Sequence, residues 1–227
     1  MICPQAEPPE RAGRAFCGPR LAGLTAADAR RFQTGRACLD FCHTGGDGPL
    51  ARFELLHDGA SLARWLGVVL NLDGIKATGA DLTRARELRR AIWGAAHALI
   101  AHEPVTGPQR RAINAAAAGE PVVPFLDSGG AVTAKPPVTI DQVLSTLARD
   151  AIDLFSGPLA ARIRVCAAED CGLLFVDQSR PGDRRWCSMR RCGNLAKVRR
   201  HRAGSGATSS RGPDPRGRPG DIRPQQL

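Results

Sequence analysis

No tyrosine occurs among the 227 residues, and phenylalanine and tryptophan bring the aromatic share to only 4%. Single-stranded nucleic acid is held largely by bases stacking on aromatic rings, so this poverty argues against that mode and leaves contacts to a duplex. Long apolar runs are missing as well: even Trp65 to Leu72 is broken by Gly67 and Asn71, and a membrane span needs about 18 apolar residues in succession. Nothing in Met1 to Leu24 resembles a signal peptide, because Pro4, Glu7, Pro8, Pro9, Glu10, Arg11 and Arg14 stand where an apolar segment would be required. A cytoplasmic protein with reduced thiols and no membrane partner is therefore expected. No G-x-S-x-G, P-loop, Rossmann glycine pattern or H-E-x-x-H is found, and Gly45-Gly46-Asp47-Gly48 reads as a plain loop, so an enzyme is not expected.

Lysine is nearly absent too: Lys76, Lys135 and Lys197 are the only ones in a chain with 32 Lys+Arg. A GC-rich coding sequence explains arginine in place of lysine, but not where the arginines fall. Residues 1–161 hold 17 Lys+Arg against 16 Asp+Glu, whereas residues 162–202 hold 11 against 4. Most of the net charge of +10 thus belongs to a short C-terminal stretch, which marks it as a candidate for phosphate contacts.

That stretch also carries half of the cysteines. Cys166, Cys171, Cys187 and Cys192 form C-x4-C-x15-C-x4-C, two equal pairs separated by enough chain for a hairpin, as a closed four-thiolate zinc site requires. Two disulfides or scattered core cysteines are the alternatives, disfavoured by reduced thiols and by the polarity of the segment. With four cysteine ligands no position is left for water, so one structural, non-catalytic zinc ion is expected. Cys38, Cys42 and His43, with His57, read as buried small residues rather than a second metal cluster. His97 and His102 are five apart and share no helical face.

Upstream, Ala37, Leu39 and Phe41 alternate with Cys38, Asp40 and Cys42, a period of two that predicts a strand over Arg36 to Thr44. Helices are predicted from Ser61, as N-cap, to about Asn71–Gly74; from Gly79 to Glu103-Pro104; from Pro108 through Ala118; and from about Ile140 to Phe155. Val122–Leu126 and Ala131–Ala134 flank a glycine-bearing turn and predict a hairpin. A strand Ile163–Cys166 leads into the metal unit, where Leu173–Val176 is expected to pair with Arg185–Cys187. Ser188 then caps a helix through about Arg202, with Leu195 and Val198 packing on that hairpin under Leu174 or Trp186. Lys197, Arg200 and His201 face outward. Arg199 and Arg202 lie near the edge, and Arg184, Arg185, Arg190 and Arg191 add charge beside them. The ends, rich in Pro, Gly, Ser and Arg, are expected to be disordered.

Cys166 to Arg202, with Trp186-Cys187-Ser188-Met189 and Cys192-Gly193-Asn194 followed by Lys197-Val198-Arg199-Arg200-His201-Arg202, resembles the CGNR zinc-finger family of bacterial proteins. Gly35 to Thr44, GRACLDFCHT, resembles the glycine to LDF-x-N-T opening of the ABATE domain that accompanies it. The resemblance implies a stress-induced transcriptional regulator whose finger binds zinc and DNA and whose upstream domain senses an effector. Two positions depart from the pattern: Leu195 replaces the arginine of CGNR, and His43 replaces the asparagine of LDF-x-N-T.

The fold class expected is α+β: a disordered segment over 1–32, a mostly helical domain with short strands over 33–160, a four-cysteine finger of knuckle, hairpin and helix over 161–203, and a disordered tail. Double-stranded DNA is the expected partner, read by Arg184, Arg185, Arg190, Arg191, Lys197, Arg199, Arg200, His201 and Arg202. A small-molecule effector and a homodimer complete the reading. An RNA- or protein-binding ribbon, a redox or zinc sensor, and an enzyme with an appended zinc module remain open alternatives.

Overall fold

The computed structural model describes residues 31–206 apart from 33, 71–73, 127, 131 and 135. The termini expected to be disordered, together with Cys3 and Cys17, lie outside the described residues, except at their inner edges. There Arg31 and Phe32 are buried, so the first domain begins before residue 33. The chain divides into two compact units, one ending at Cys187 and the other beginning at Ser188.

The first unit is built on three helices with the same start signal. We label them α3 (Gly79–Ile100), α4 (Gly107–Ala117) and α5 (Ile140–Ser156). Each is preceded by threonine and carries an acceptor at its third position: Thr78 with Asp81, Thr106 with Gln109, Thr139 with Gln142. In each case the threonine oxygen accepts from the third backbone N–H, and the third side chain accepts from the threonine N–H. These reciprocal boxes satisfy donors that no helical carbonyl can reach, which fixes where each helix begins. Helix α3 packs on α4 and α5, and α4 packs on α5. Their shared core holds Leu82, Leu88, Ile92, Ile113, Val143, Leu144, Leu147 and Leu154.

The segment expected as a strand over Arg36–Thr44 is instead a short helix, α1 (Ala37–Cys42), packed against α3 and α5. Its alternation was misleading because Cys38, Leu39, Asp40, Phe41 and Cys42 are all buried, so the sequence held no inside–outside contrast to read. Asp150 of α5 caps it from outside, accepting from Cys38 N at 2.9 Å while binding Arg36 Nε at 2.9 Å. Helix α2 (Gly59–Leu70) begins two residues before Ser61. Asp58 is the capping residue, its Oδ1 accepting from Ser61 N at 2.7 Å, and Ser61 Oγ accepts from Asp58 N at 2.9 Å. The expected stop at Asn71–Gly74 falls mostly on residues outside the described set.

Strands β1 (Pro124–Leu126) and β2 (Val132–Ala134) form the expected antiparallel hairpin in shorter form, with Phe125, Leu126 and Val132 exposed. After α5 stops at Gly157, a single 3-10 turn leads into β3 (Ile163–Val165). Its partner is β4 (Leu174–Val176), antiparallel, in the register Ile163↔Val176, Arg164↔Phe175, Val165↔Leu174. The pairing of Leu173–Val176 with Arg185–Cys187 is thereby overturned. The reason lies in the core: Ile163, Leu174 and Val176 enter the same apolar cluster as the helices, while Arg185–Cys187 has no comparable face to bury.

The second unit starts with a π-helical turn, Met189–Gly193, and continues as α6 (Asn194–Gly206). The helix therefore outlasts the expected end at Arg202. Ser188 stands at the N-cap but makes no side-chain cap bond.

Candidate metal centre and nucleic-acid interface

Strands β3 and β4 are joined by a loop over 166–173 that holds the first cysteine pair. Cys166 N donates to Leu173 O at 2.8 Å, extending the ladder by one bond, and Cys171 N donates to Ala168 O at 3.0 Å, closing a turn. Gly172 follows at φ +63°, a left-handed conformation that lets the chain leave the turn at once and rejoin the ladder. The x4 spacing thus sets both cysteines of the first pair within one hairpin loop. The chain returns beside it: Ala167 N donates to Arg185 O at 2.8 Å, and Cys187 N to Cys166 Sγ at 3.4 Å.

Between these passes, Asp177 organises the connecting loop. Its carboxylate is buried and accepts from Ser179 N, Ser179 Oγ and Arg184 N at 2.9, 2.6 and 2.9 Å. Burial alone would raise its pKa; the hydrogen bonds from Ser179 and Arg184 outweigh that and hold it below the usual value.

The sulfurs of Cys166, Cys171, Cys187 and Cys192 all lie within 4.8 Å of one another. Cys171 Sγ and Cys187 Sγ are 3.6 Å apart, well beyond the roughly 2.05 Å of a disulfide. Tetrahedral zinc with Zn–S bonds of about 2.3 Å sets its sulfurs about 3.8 Å from each other, so the four donors fit the ion. Hydrogen bonds from the Cys171 and Cys187 thiols, and from the Cys187 and Ala168 amides, pull the Cys166 thiol down to about 2, against the effect of burial. Hydrogen bonding to Cys166 and Cys171, together with burial, pushes the Cys187 thiol upward. A divalent ion supplies the charge that lets four thiols ionise side by side. The set is a site for one structural zinc ion.

The residues of the C-G-N motif each have a local task. Cys192 is a ligand, and buried Gly193 donates to Ser188 O at 3.1 Å, the long bond of the π turn. Asn194 Nδ2 reaches back to Arg190 O at 3.2 Å. Leu195, where the motif has arginine, is 52% exposed, and Val198 is 46% exposed. Their expected burial under Leu174 or Trp186 is therefore corrected: Leu174 is part of the N-terminal core, and the helix keeps these two apolar side chains at the surface.

The basic residues separate into two groups. Arg190, Arg191, Lys197, Arg199, Arg200, His201 and Arg202 are exposed. Arg184 is committed inward: its Nε donates to Trp186 O at 2.8 Å, its terminal nitrogen donates to Cys187 O, and the guanidinium lies 5.0 Å from the Phe175 ring centroid. Arg185 stacks on Trp186 at 5.2 Å. Arg184 thus buttresses the turn that presents Cys187, a task invisible to charge counting.

His43, the other departure, is fully buried, and its Nε2 donates to Leu174 O at 2.8 Å. Residue 43 therefore holds the strand that runs out of the metal knuckle. Thr34 O adds a second tie, accepting from Val176 N at 3.1 Å. Nothing in the sequence linked either residue to positions more than 130 apart.

Knuckle, four-cysteine cluster and basic helix define the class as a zinc-finger protein. Comparison with protein families agrees: residues 35–158 match the ABATE family, described as "Putative stress-induced transcription regulator", and residues 162–204 match the CGNR zinc finger. The chain belongs to the ABATE family and carries a CGNR zinc finger at its C-terminal side. A search of curated proteins found no match. Among the described residues, no helix is long and apolar enough to cross a membrane.

Proposed function

We propose that this protein is a transcriptional regulator that binds double-stranded DNA through its zinc-held basic helix and receives a small-molecule signal in its N-terminal unit. One observation carries the DNA half. From Ser188 to Gly206 the chain has six Lys+Arg and no Asp or Glu, and these basic side chains are exposed on the π turn and α6. Arginine forks suit both phosphates and guanine edges, and a single helix of this width enters a major groove. The exposed Leu195 and Val198 suit contact with thymine methyl groups or sugar edges on the same face. The action assigned is binding, with no catalytic residue.

The test is binding of zinc-loaded protein to random duplex DNA at two salt concentrations, with the chelated protein as control. Binding should require zinc and fall steeply with salt. Replacing Arg199, Arg200 and Arg202 by alanine should reduce the log–log salt slope by about two to three. An unchanged slope would remove α6 as the contact surface. No binding even at low salt would turn the reading to a zinc-held protein-interaction or sensor module.

A further inference from the structure

Three successive arginines of α3 converge on the Gly45-Gly46-Asp47 loop and the indole of Trp93, where they enclose a small cavity of about 70 Å³. Two of them are neutralised. Arg89 is buried and forms a two-pronged pair with Glu54, Nη1 to Oε1 at 2.9 Å and Nη2 to Oε2 at 2.6 Å, with a third bond to Thr44 Oγ1 at 2.9 Å. Arg90 Nε donates to Asp47 Oδ2 at 2.8 Å. Arg86 lies in the field of Glu54 but makes no hydrogen-bonded ion pair among the described residues. Its terminal nitrogen donates to Leu56 O at 2.6 Å, and its Nε is buried with no acceptor.

The three guanidiniums face Asp47 in the wall and Glu54 behind it, with Glu87 beside Arg90, and Arg86 forms no ion pair of its own among the described residues and is short of acceptors. A buried donor left without a partner is costly, and the remedy is an acceptor, which an anion supplies. Gly45 and Gly46 bring only backbone to the wall, and their N–H groups donate to no carbonyl among the described residues. Trp93, its ring tilted against His97 with centroids 4.5 Å apart, closes the side with an apolar surface. The volume is far below the roughly 300 Å³ at which drug-sized pockets begin, and suits a head group.

We propose that this cavity is a binding site for a small oxyanion, a carboxylate or phosphate group, taken by Arg86 with Arg90 and the glycine loop. The proposal deepens the effector half of the function above, and it is tested without DNA, so either half can fail alone.

The experiment uses the full-length zinc-loaded protein with acetate and inorganic phosphate as probes, and chloride at matched ionic strength as control. Thermal shift and Trp fluorescence are read at millimolar probe. A saturable rise in melting temperature with acetate assigns a carboxylate ligand, and one with phosphate assigns a phosphorylated ligand; both support the site. Arg86→Gln should raise Kd by about tenfold or more. Arg90→Gln, at a surface position that leaves the core untouched, should weaken binding in the same sense and serves if the first variant folds poorly. Equal effects of chloride, or unchanged affinity in a folded Arg90→Gln and Arg86→Gln pair, would overturn the proposal.

Discussion

Asp40 and His43 sit one turn apart, both buried, and titrate in opposite directions. Burial pushes the Asp40 carboxyl up to about 7, with the Thr34 hydrogen bonds acting against it. Burial pulls His43 down to about 4, with the Leu174 bond opposing. For Asp40 the folded state holds the proton longer, so its contribution to stability is full at low pH and is lost as pH rises from about 4 to about 7. For His43 the folded state is neutral, so its contribution is full above about 6.5 and is lost as pH falls toward about 4. Between about pH 4 and 6.5 the two slopes cancel, one proton against the other. Each single variant should expose its partner. Asp40→Asn should make stability rise with pH across this window by about 1.4 kcal/mol per unit relative to the parent, and His43→Asn should make it fall by a similar amount. Denaturant midpoints of the three proteins at pH 5, 5.5 and 6 check this; parallel curves would refute it.

At the scale of elements, the hairpin β3–β4 matters most, because one of its faces is core and its loop is a metal knuckle. Leu174→Ala should destabilise the first unit by about 2 to 5 kcal/mol, read from the denaturant midpoint, and should also weaken zinc retention in a competition with a chelator. A loss of stability with zinc retention unchanged would separate the two tasks. The same hairpin shows what the sequence made legible. Helices α3, α4 and α5 and the hairpin β1–β2 were readable because stripes, caps and glycine turns are local signals. The threonine boxes are equally legible, as T-x-x-D or T-x-x-Q. The four zinc ligands stood out by spacing alone. What stayed hidden was long-range: α1 is helical because its whole surface is covered, and β4 pairs with β3 because Ile163, Leu174 and Val176 complete a core built from residues far upstream. Arg184 reads in the sequence as one more surface charge, and only packing shows it to be a buttress.

At the scale of the whole molecule, the finger segment and the compact units do not share a boundary. The family boundary falls between residues 158 and 162, whereas the compact unit runs on to Cys187. A chain ended at residue 158 would lack three buried core side chains and the strand that ties down His43 and Thr34. It should lose cooperative unfolding, whereas a chain ended at Cys187 keeps the whole compact unit. For the same reason, chelating zinc from the intact protein should lower its main melting transition rather than leave it in place; a loss of about 1 kcal/mol would move the midpoint by about 2 to 4 °C at this size. An unmoved main transition would show that the knuckle and the core are energetically independent.

The hydrogen bonds from His43 to Leu174 and from Val176 to Thr34 also bear on descent and engineering. A finger whose first strand is stitched into its neighbour cannot be exchanged like a cassette. Chimeras that join the front of one family member to the back of another should fold only when residues 34, 43 and 163–176 come from a single parent, so the inherited unit of recombination is longer than either family segment.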